Sequence, residues 1–181
     1  YDRIIASGRK LKGIKRGIFF WAVNLGLRYE LERQSWWYEL QLAIADRLVF
    51  KKWRQALGGR FKVIVSGGAA LQARLARAFT AAGIPVIEGY GLTETSPVIV
   101  VNHFGKNGRK FGTVGPPIDI NEVRIAADGE ILCKGPNVMM GYYKEPDLTK
   151  ECIDEEGWFY TGDIGVLEPS GHLRITGRKK E

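Results

Sequence analysis

The sequence predicts an α/β fold: a helical first third, then a βαβ unit of a parallel sheet, then a small antiparallel, β-rich part resembling a partial barrel. Three observations predict it. Residues 1–57 contain no Pro and repeat apolar residues at helical intervals. Two short apolar runs flank a helical stretch between residues 61 and 87. After Pro97, short apolar stretches alternate with Gly, Pro, Asn and Asp.

The helical third is predicted to contain two helical stretches. The first is interrupted by glycines at 13, 17 and 26, and the second runs from about Trp37 to Leu57 and ends at Gly58-Gly59. The βαβ unit consists of a strand at 61–65, a helix at Leu71–Ala82 and a strand at Ile84–Ile87. Ligands of parallel sheets bind beyond the carboxyl ends of the strands, where both glycine turns of this unit fall.

The β-rich part is predicted from five short apolar stretches. They are Val98–Val101, Glu122–Ala126, Glu130–Lys134, Asp163–Glu168 and His172–Thr176. Asp128-Gly129 predicts a hairpin, and 169–171 predicts a second turn.

Charge and composition narrow the classes of function. The 181 residues carry a net charge of +7, but residues 1–60 hold thirteen basic and five acidic side chains, against fourteen and fifteen in the remainder. This asymmetry indicates one basic face rather than a nucleic-acid-binding protein, so no nucleic-acid partner is predicted. Two cysteines without CxxC spacing indicate a reducing compartment and a cytoplasmic location. The six-residue apolar run Ile18–Val23 is far below the roughly 20 residues of a membrane span.

Four polar clusters are candidates for chemistry. In Ser66–Ala70, adjacent glycines let a flat or anionic ligand approach backbone N–H groups; the alternative is a tight turn with Ser66 as a helix cap. In Gly89–Thr95, an aromatic ring between glycines can lie against a base. There a hydroxyl can bind phosphate and a carboxylate can hold Mg²⁺; the alternative is a polar surface loop.

The third cluster, Gly157–Asp163, places an aspartate after a Thr-Gly turn, where it can accept hydrogen bonds from two vicinal hydroxyls or simply cap the turn. The fourth, 177–180, places Arg178 where it can reach a hydroxyl or phosphate; the alternative is a solvated charge run.

The histidines and tryptophans are given structural rather than chemical roles. His103 and His172 lack partners at metal-ligand spacing and are expected at the surface or in turns. Trp36, Trp37 and Trp53 are expected in the core or in domain packing rather than at the gate of a ligand pocket.

One basic stretch is a candidate for membrane contact. Arg9–Arg16, followed by Ile18–Trp21, is expected to be a solvated helix face, with peripheral contact to anionic lipid as the alternative.

The order and spacing of the clusters resemble the core motifs of the adenylate-forming enzymes, and most of all those of long-chain fatty acyl-CoA synthetases. The chain from about residue 58 onward carries the resemblance. Its motifs are Ser66–Ala69, Gly89–Thr95, Gly129–Pro136 with Met140–Tyr143, Gly157–Asp163 and 177–180.

The resemblance implies a role for each matching residue. Tyr90 lies against adenine, Thr93 contacts the α-phosphate, Glu94 helps to hold Mg²⁺, and Asp163 and Arg178 bind ribose. The family's adenine and acyl carboxylate are bordered by the backbone of Gly68 and Ala69, and Gly89 and Gly91 belong to the same nucleotide site. Lys180 takes the position of a hinge.

The implied activity is that of an ATP- and Mg²⁺-dependent ligase joining a long-chain fatty acid to CoA through an acyl-AMP intermediate. The implied layout is part of a large adenylation domain. Its parts are a helical segment at 1–57, the nucleotide-site unit at 58–97, a β-rich subdomain at 98–179 and a hinge at 180–181. Because the family's phosphate loop and C-terminal domain have no match here, and because the chain starts at Tyr1, it is expected to be an inactive piece of a longer enzyme. The rival from another class is a basic peripheral membrane or RNA-binding module without catalysis.

Overall fold

A computed structural model describes residues 1–32, 34–60 and 62–179. The chain divides into two compact units, one made of Tyr1–Val65 and Leu71–Val86, the other of Ser66–Ala70 and the chain from Ile87 onward. The predicted 58–97 unit is therefore shared between them. Phe61 and the predicted hinge residue Lys180 lie outside the described residues.

The first unit is mainly helical, as the sequence predicts. Its elements are α1 (Asp2–Arg9), α2 (Gly13–Leu27), α3 (Trp36–Ala45), a π-helical turn (Asp46–Phe50), α4 (Lys51–Ala56) and α5 (Ala73–Ala81). The Ser35 hydroxyl caps α3 by accepting the N–H of Tyr38 at 3.3 Å. Gly58 and Gly59, both at positive φ, follow α4 where the pattern predicts a helix end.

The core of the first unit forms where α2 meets α5 and the α3–α4 segment. Phe50 and Ile84 are fully buried, and Gly26 of α2 lies so close to Ala78 of α5 that an added Cβ would be 3.4 Å from its Cα. Trp53 is buried in this core, as predicted. Trp36 and Trp37 are not, since 76% and 56% of their surfaces are exposed.

The predicted basic stretch in α1 and α2 exposes its lysines and arginines, and it also exposes Ile14 at 82%. Phe19 is buried, and Ile18, Phe20 and Trp21 pack against the core. The stretch therefore presents mainly charge, with Ile14 as an exposed apolar side chain. No helix in the described part of the chain is both long and apolar enough to cross a membrane.

The strands form two sheets. One has the order β1 (Ile64–Ser66), β2 (Val86–Gly91) and β3 (Val98–Val101). The crossover from β1 through α5 to β2 is the predicted βαβ unit, but the antiparallel pairing of β3 with β2 was not predicted. The other sheet is the predicted antiparallel one, in the order β4 (Glu122–Ile125), β5 (Glu130–Lys134), β6 (Phe159–Leu167) and β7 (Leu173–Arg178). The short helix α6 (Pro146–Cys152) precedes β6.

The turns of the second sheet lie where the sequence predicts them, whereas His172 is buried. Gly129, at φ +87°, closes the β4–β5 hairpin, and Gly171 lies in the turn before β7. Leu173 and Ile131 are fully buried in the core of this unit. His172 is only 3% exposed, so it is not at the surface, but it directly follows the predicted turn at 169–171 and its Nδ1 lies 3.2 Å from the hydroxyl of Ser170 in that turn.

Candidate functional site

Tyr90 is held by a direct bond to Asp163. Tyr90 lies in β2, and its hydroxyl donates to Oδ2 of Asp163 in β6 at 2.6 Å, joining residues 73 positions apart. Burial raises the pKa of the Tyr90 hydroxyl far above its usual value, and the bond to Asp163 raises it further. Tyr90 therefore remains a protonated donor at neutral pH.

Asp163 joins Tyr90 to Arg178. The carboxylate is buried, and its Oδ1 accepts from Nε of Arg178 at 3.0 Å, across the β6–β7 pair in which the two residues are register partners. A carboxylate oxygen can accept two hydrogen bonds, so each oxygen of Asp163 keeps capacity for one hydroxyl. The structure thus brings together the three side chains that the resemblance assigned to adenine and ribose.

The backbone at Asp163 is a bulged strand rather than the tight turn that the sequence predicted. Thr161, Gly162 and Asp163 lie inside β6, where Gly162 has φ +72° and the pairing with β5 shifts register. The Thr161 hydroxyl fixes one side of the bulge, since it donates to the carbonyl of Ile131 at 2.8 Å and accepts the N–H of Asp163 at 3.1 Å.

Two residues that the sequence gave no role hold the other side of the bulge. Glu130 is 4% exposed and accepts the N–H of Gly162 at 2.8 Å. The Lys179 ammonium donates to Oε2 of Glu130 at 2.6 Å, and the backbone N–H of Lys179 donates to the carbonyl of Gly162 at 2.8 Å. Both residues lie in the quoted motifs, but their chemistry points to an ion pair rather than to a ligand, so only the fold could assign them.

Glu94 and Thr93 lie in one turn of 3-10 helix, Thr93–Thr95, directly after β2. The buried hydroxyl of Thr95 anchors this turn by accepting the N–H of Leu92 and donating to the carbonyl of Pro97. Thr93 is exposed and Glu94 half-buried, as expected of groups that meet a ligand. The Glu94 carboxylate accepts the hydroxyl of Tyr142 at 2.9 Å.

Gly89 and Gly91 are strand residues, so their prediction as part of a turn is wrong. They lie in β2, opposite Val101 and Val98 of β3. A Cβ on Gly91 would stand 1.6 Å from the carbonyl oxygen of Pro97. Gly91 is therefore required for the close return of the chain into β3, whether or not it contacts a ligand.

Gly68 and Ala69 are exposed in the loop after β1, and Gly68 has φ +78°. A Cβ on the neighbouring Gly67 would lie 3.7 Å from the carbonyl oxygen of Gly89, so this loop passes beside β2. Helix α5 begins only at Ala73, with Gln72 as its N-cap. Ser66 is therefore not the cap, and the glycines do not lead directly into a helix N-terminus.

A cleft of about 420 Å³ adjoins these groups. Its lining includes Glu94, Tyr142, Thr161, Arg178 and Lys179. No group of three His, Cys, Asp or Glu side chains suited to a metal occurs in the described ranges 1–32, 34–60 and 62–179. A single carboxylate fits Mg²⁺ nonetheless, because this ion binds through one or two carboxylates together with substrate phosphates and water.

Comparisons with known proteins show which family this chain resembles. Residues 31–143 match the family model described as AMP-binding enzyme. The chain is 49% identical over 139 residues to the long-chain-fatty-acid–CoA ligase FadD15 of Mycobacterium bovis, covering 77% of this chain and 23% of that protein. It is 40% identical to human long-chain-fatty-acid–CoA ligase 1, covering 75% and 21% of the two chains. It therefore spans about a quarter of the length of these curated relatives.

Two solved structures that contain bound ATP are similar to this chain. ATP-bound MatB from Rhodopseudomonas palustris is 34% identical, with a TM-score of 0.61, over 67% of this chain and 26% of that one. O-succinylbenzoate coenzyme A synthetase (MenE) from Bacillus subtilis, solved in complex with ATP and a magnesium ion, is 32% identical. Its TM-score is 0.58, over 65% of this chain and 26% of that one.

Proposed function

This chain belongs to the AMP-binding enzyme family, and we propose that the protein containing it is an ATP-dependent ligase that joins a long-chain fatty acid to CoA. A carboxylate oxygen of the acid bonds to the α-phosphorus of ATP while the bond from that phosphorus to pyrophosphate breaks. The CoA sulfur then bonds to the acyl carbon of the acyl-AMP, AMP departs, and the thiol proton passes to solvent.

The observation that carries the proposal is the hydrogen-bonded group of Tyr90, Asp163 and Arg178. Glu94 lies in the turn directly after the strand of Tyr90 and lines the same cleft as Arg178. An aromatic ring beside a carboxylate with spare acceptor capacity suits a nucleoside, with its base and two vicinal hydroxyls. A basic module without catalysis needs none of these groups.

Each residue then has a separate task. Asp163 accepts the ribose hydroxyls, Tyr90 offers its ring to adenine, and Arg178 lies at the edge of the ribose. Thr93 donates to the α-phosphate from its exposed position. Glu94 supplies a ligand for Mg²⁺, which when bound offsets negative charge on the phosphates. Gly68 and Ala69 border the adenine and the acyl carboxylate with their backbone.

The choice of a long-chain acid and of CoA is supported by the names of relatives such as FadD15 of Mycobacterium bovis and the human ligase. We keep the cytoplasm as the proposed location, because both cysteines are free thiols. Peripheral contact with anionic lipid would depend on the charge of the 9–16 stretch, since the apolar residues after it pack inward.

Pyrophosphate release and acyl-CoA formation by the complete protein test the proposal. ATP, Mg²⁺ and CoA are supplied with acids of 2 to 18 carbons and with aromatic acids, and products are identified by mass spectrometry. We expect turnover with the highest kcat/KM for the long-chain acids. A short or aromatic acid with the highest kcat/KM would correct the substrate class, and no release with any acid would reject adenylation.

A further inference from the structure

Tyr142 lies on the connection between β5 and α6, yet its hydroxyl reaches Glu94, 48 residues earlier. The hydroxyl donates to Oε1 of Glu94 at 2.9 Å, and both side chains line the cleft. Within the described ranges, no hydrogen bond is donated to the second oxygen, Oε2. One oxygen of the carboxylate is thus held, and the other remains for a ligand.

The segment that carries Tyr142 is fastened to the turn that carries Glu94. The N–H of Met139 donates to the carbonyl of Glu94 at 2.8 Å. The side-chain amide of Asn137 donates to the carbonyl of Thr95 at 2.7 Å. Together with the bond from the Tyr142 hydroxyl, three contacts fix residues 137–142 against the Thr93–Thr95 turn.

Tyr142 is also positioned from its other side. Its N–H donates to the hydroxyl of Thr149 in α6 at 2.9 Å, and that hydroxyl donates to the carbonyl of Glu145. Gly141, at φ +147°, lies so close to Thr149 that an added Cβ would be 2.8 Å from its Cγ2. The backbone at Tyr142 is therefore held independently of the bond to Glu94.

We infer that Tyr142 is a positioning residue for the proposed Mg²⁺·ATP site: it holds Oε1 of Glu94 so that Oε2 meets the metal without a search through side-chain rotamers. This inference rests on the proposed function. Carboxylate ligands are commonly oriented by such hydrogen bonds, and loss of the bond lowers metal affinity about ten- to a hundredfold. Tyr142 itself touches neither metal nor nucleotide in this role.

The test uses Tyr142→Phe in the complete protein, which removes only the hydroxyl. The matched control is Tyr143→Phe, because Tyr143 is adjacent and 86% exposed. Binding of a non-hydrolysable ATP analogue is measured by calorimetry in EDTA and across a Mg²⁺ titration. We expect the Mg²⁺ concentration at half-effect to rise about tenfold in Tyr142→Phe, with EDTA binding and the Tyr143→Phe titration unchanged.

An unchanged Mg²⁺ midpoint in Tyr142→Phe overturns the inference. So does an equal loss of analogue binding with and without Mg²⁺, which marks a purely structural role. Should Tyr142→Phe not fold, Thr149 is changed instead, because its hydroxyl holds the backbone of Tyr142. Thr149→Val must then raise the Mg²⁺ midpoint and Thr149→Ser must not. Any other pattern also overturns the inference. Turnover by the wild-type protein separates the two proposals. If the wild-type protein turns over and the Mg²⁺ midpoint of Tyr142→Phe is unchanged, only this inference is rejected. If the wild-type protein shows no turnover, the proposed ligase activity is rejected.

Discussion

Lys179 and Glu130 form an ion pair across the bulge that carries Asp163. The Lys179 ammonium lies 2.6 Å from a carboxylate oxygen of Asp128 and 2.6 Å from one of Glu130. Both carboxylates raise the pKa of Lys179, and Asp128 has the larger effect. The second oxygen of Glu130 accepts the N–H of Gly162. A buried carboxylate thus sets the backbone from which Asp163 projects.

Glu130→Ala should lower the free energy of unfolding by about 1–3 kcal/mol, because it leaves the N–H of Gly162 without its acceptor. Glu130→Gln, which keeps an acceptor, should cost less. Asp128→Asn is the control, since Asp128 is exposed and surface ion pairs contribute little. Urea unfolding of each variant is the measurement, and equal effects of Glu130→Ala and Asp128→Asn would contradict the assignment.

Asp163→Ala in the complete protein should weaken ATP binding by about 2–4 kcal/mol while leaving fatty-acid binding largely intact. The change removes the acceptor for two hydroxyls and leaves Tyr90 and Arg178 without their shared partner. Tyr90→Phe is the matched comparison, because it removes one bond to Asp163 and keeps the ring. Separate titrations of ATP and fatty acid decide the matter: near-normal ATP affinity in Asp163→Ala would reject the ribose assignment.

Glu94→Gln should slow acyl-AMP formation and move its Mg²⁺ dependence to higher concentration, since a neutral amide replaces an anionic metal ligand. Glu151→Gln serves as the control, because Glu151 lines the same cleft from an exposed position. Pyrophosphate release is followed while Mg²⁺ is varied at fixed ATP. If Glu94→Gln and Glu151→Gln behave alike, Glu94 is only a turn residue.

We expect the free energy of unfolding to depend on pH through the buried carboxyl of Glu88. It is 8% exposed in β2, and burial raises the pKa of its carboxyl to about 7. Because the folded state holds this proton more tightly than the unfolded state, the carboxyl's contribution to stability is full below about pH 4.5 and is lost as pH rises through 7. Glu88→Gln should therefore stabilise the protein at pH 8 by at most about 3 kcal/mol and not at pH 4.

Unfolding midpoints of the complete protein between pH 4 and 8 measure this difference, with the exposed Glu122→Gln as control. A gap between Glu88→Gln and wild type that is the same at every pH would show that folding does not raise the pKa of Glu88.

The 181-residue chain alone should form no detectable acyl-AMP or acyl-CoA. It spans about a quarter of the length of its curated relatives, and its described residues include no group of three His, Cys, Asp or Glu side chains suited to a metal. Charge stabilisation of the phosphates accounts for several powers of ten in such rates, and in this chain only Thr93 and Glu94 are proposed to act on the phosphates or Mg²⁺. Parallel assays of the chain and the complete protein compare the two directly. Comparable turnover would mean that the site is placed wrongly.

The sequence predicted the helical third, the crossover and the antiparallel sheet because their periodicity and glycine signals are local. It missed the pairing of β3 with β2, and it assigned Gly89 and Gly91 to a turn, because their need for glycine comes from the returning chain. Tyr90, Asp163 and Arg178 were assigned through ordered motifs and do meet. Tyr142, Glu130 and Lys179 were missed because their roles depend on contacts 30 to 50 residues away in the chain.

The packing of Gly91 against Pro97 separates two kinds of evolutionary constraint on the nucleotide motifs. A side chain at Gly91 collides with backbone whether or not nucleotide ever binds. Asp163, by contrast, is required by the proposed ligand and could be replaced in a descendant that had lost catalysis. Such a pseudoenzyme would still need glycine at position 91, because this chain's fold requires that glycine, whereas Asp163 serves the proposed chemistry.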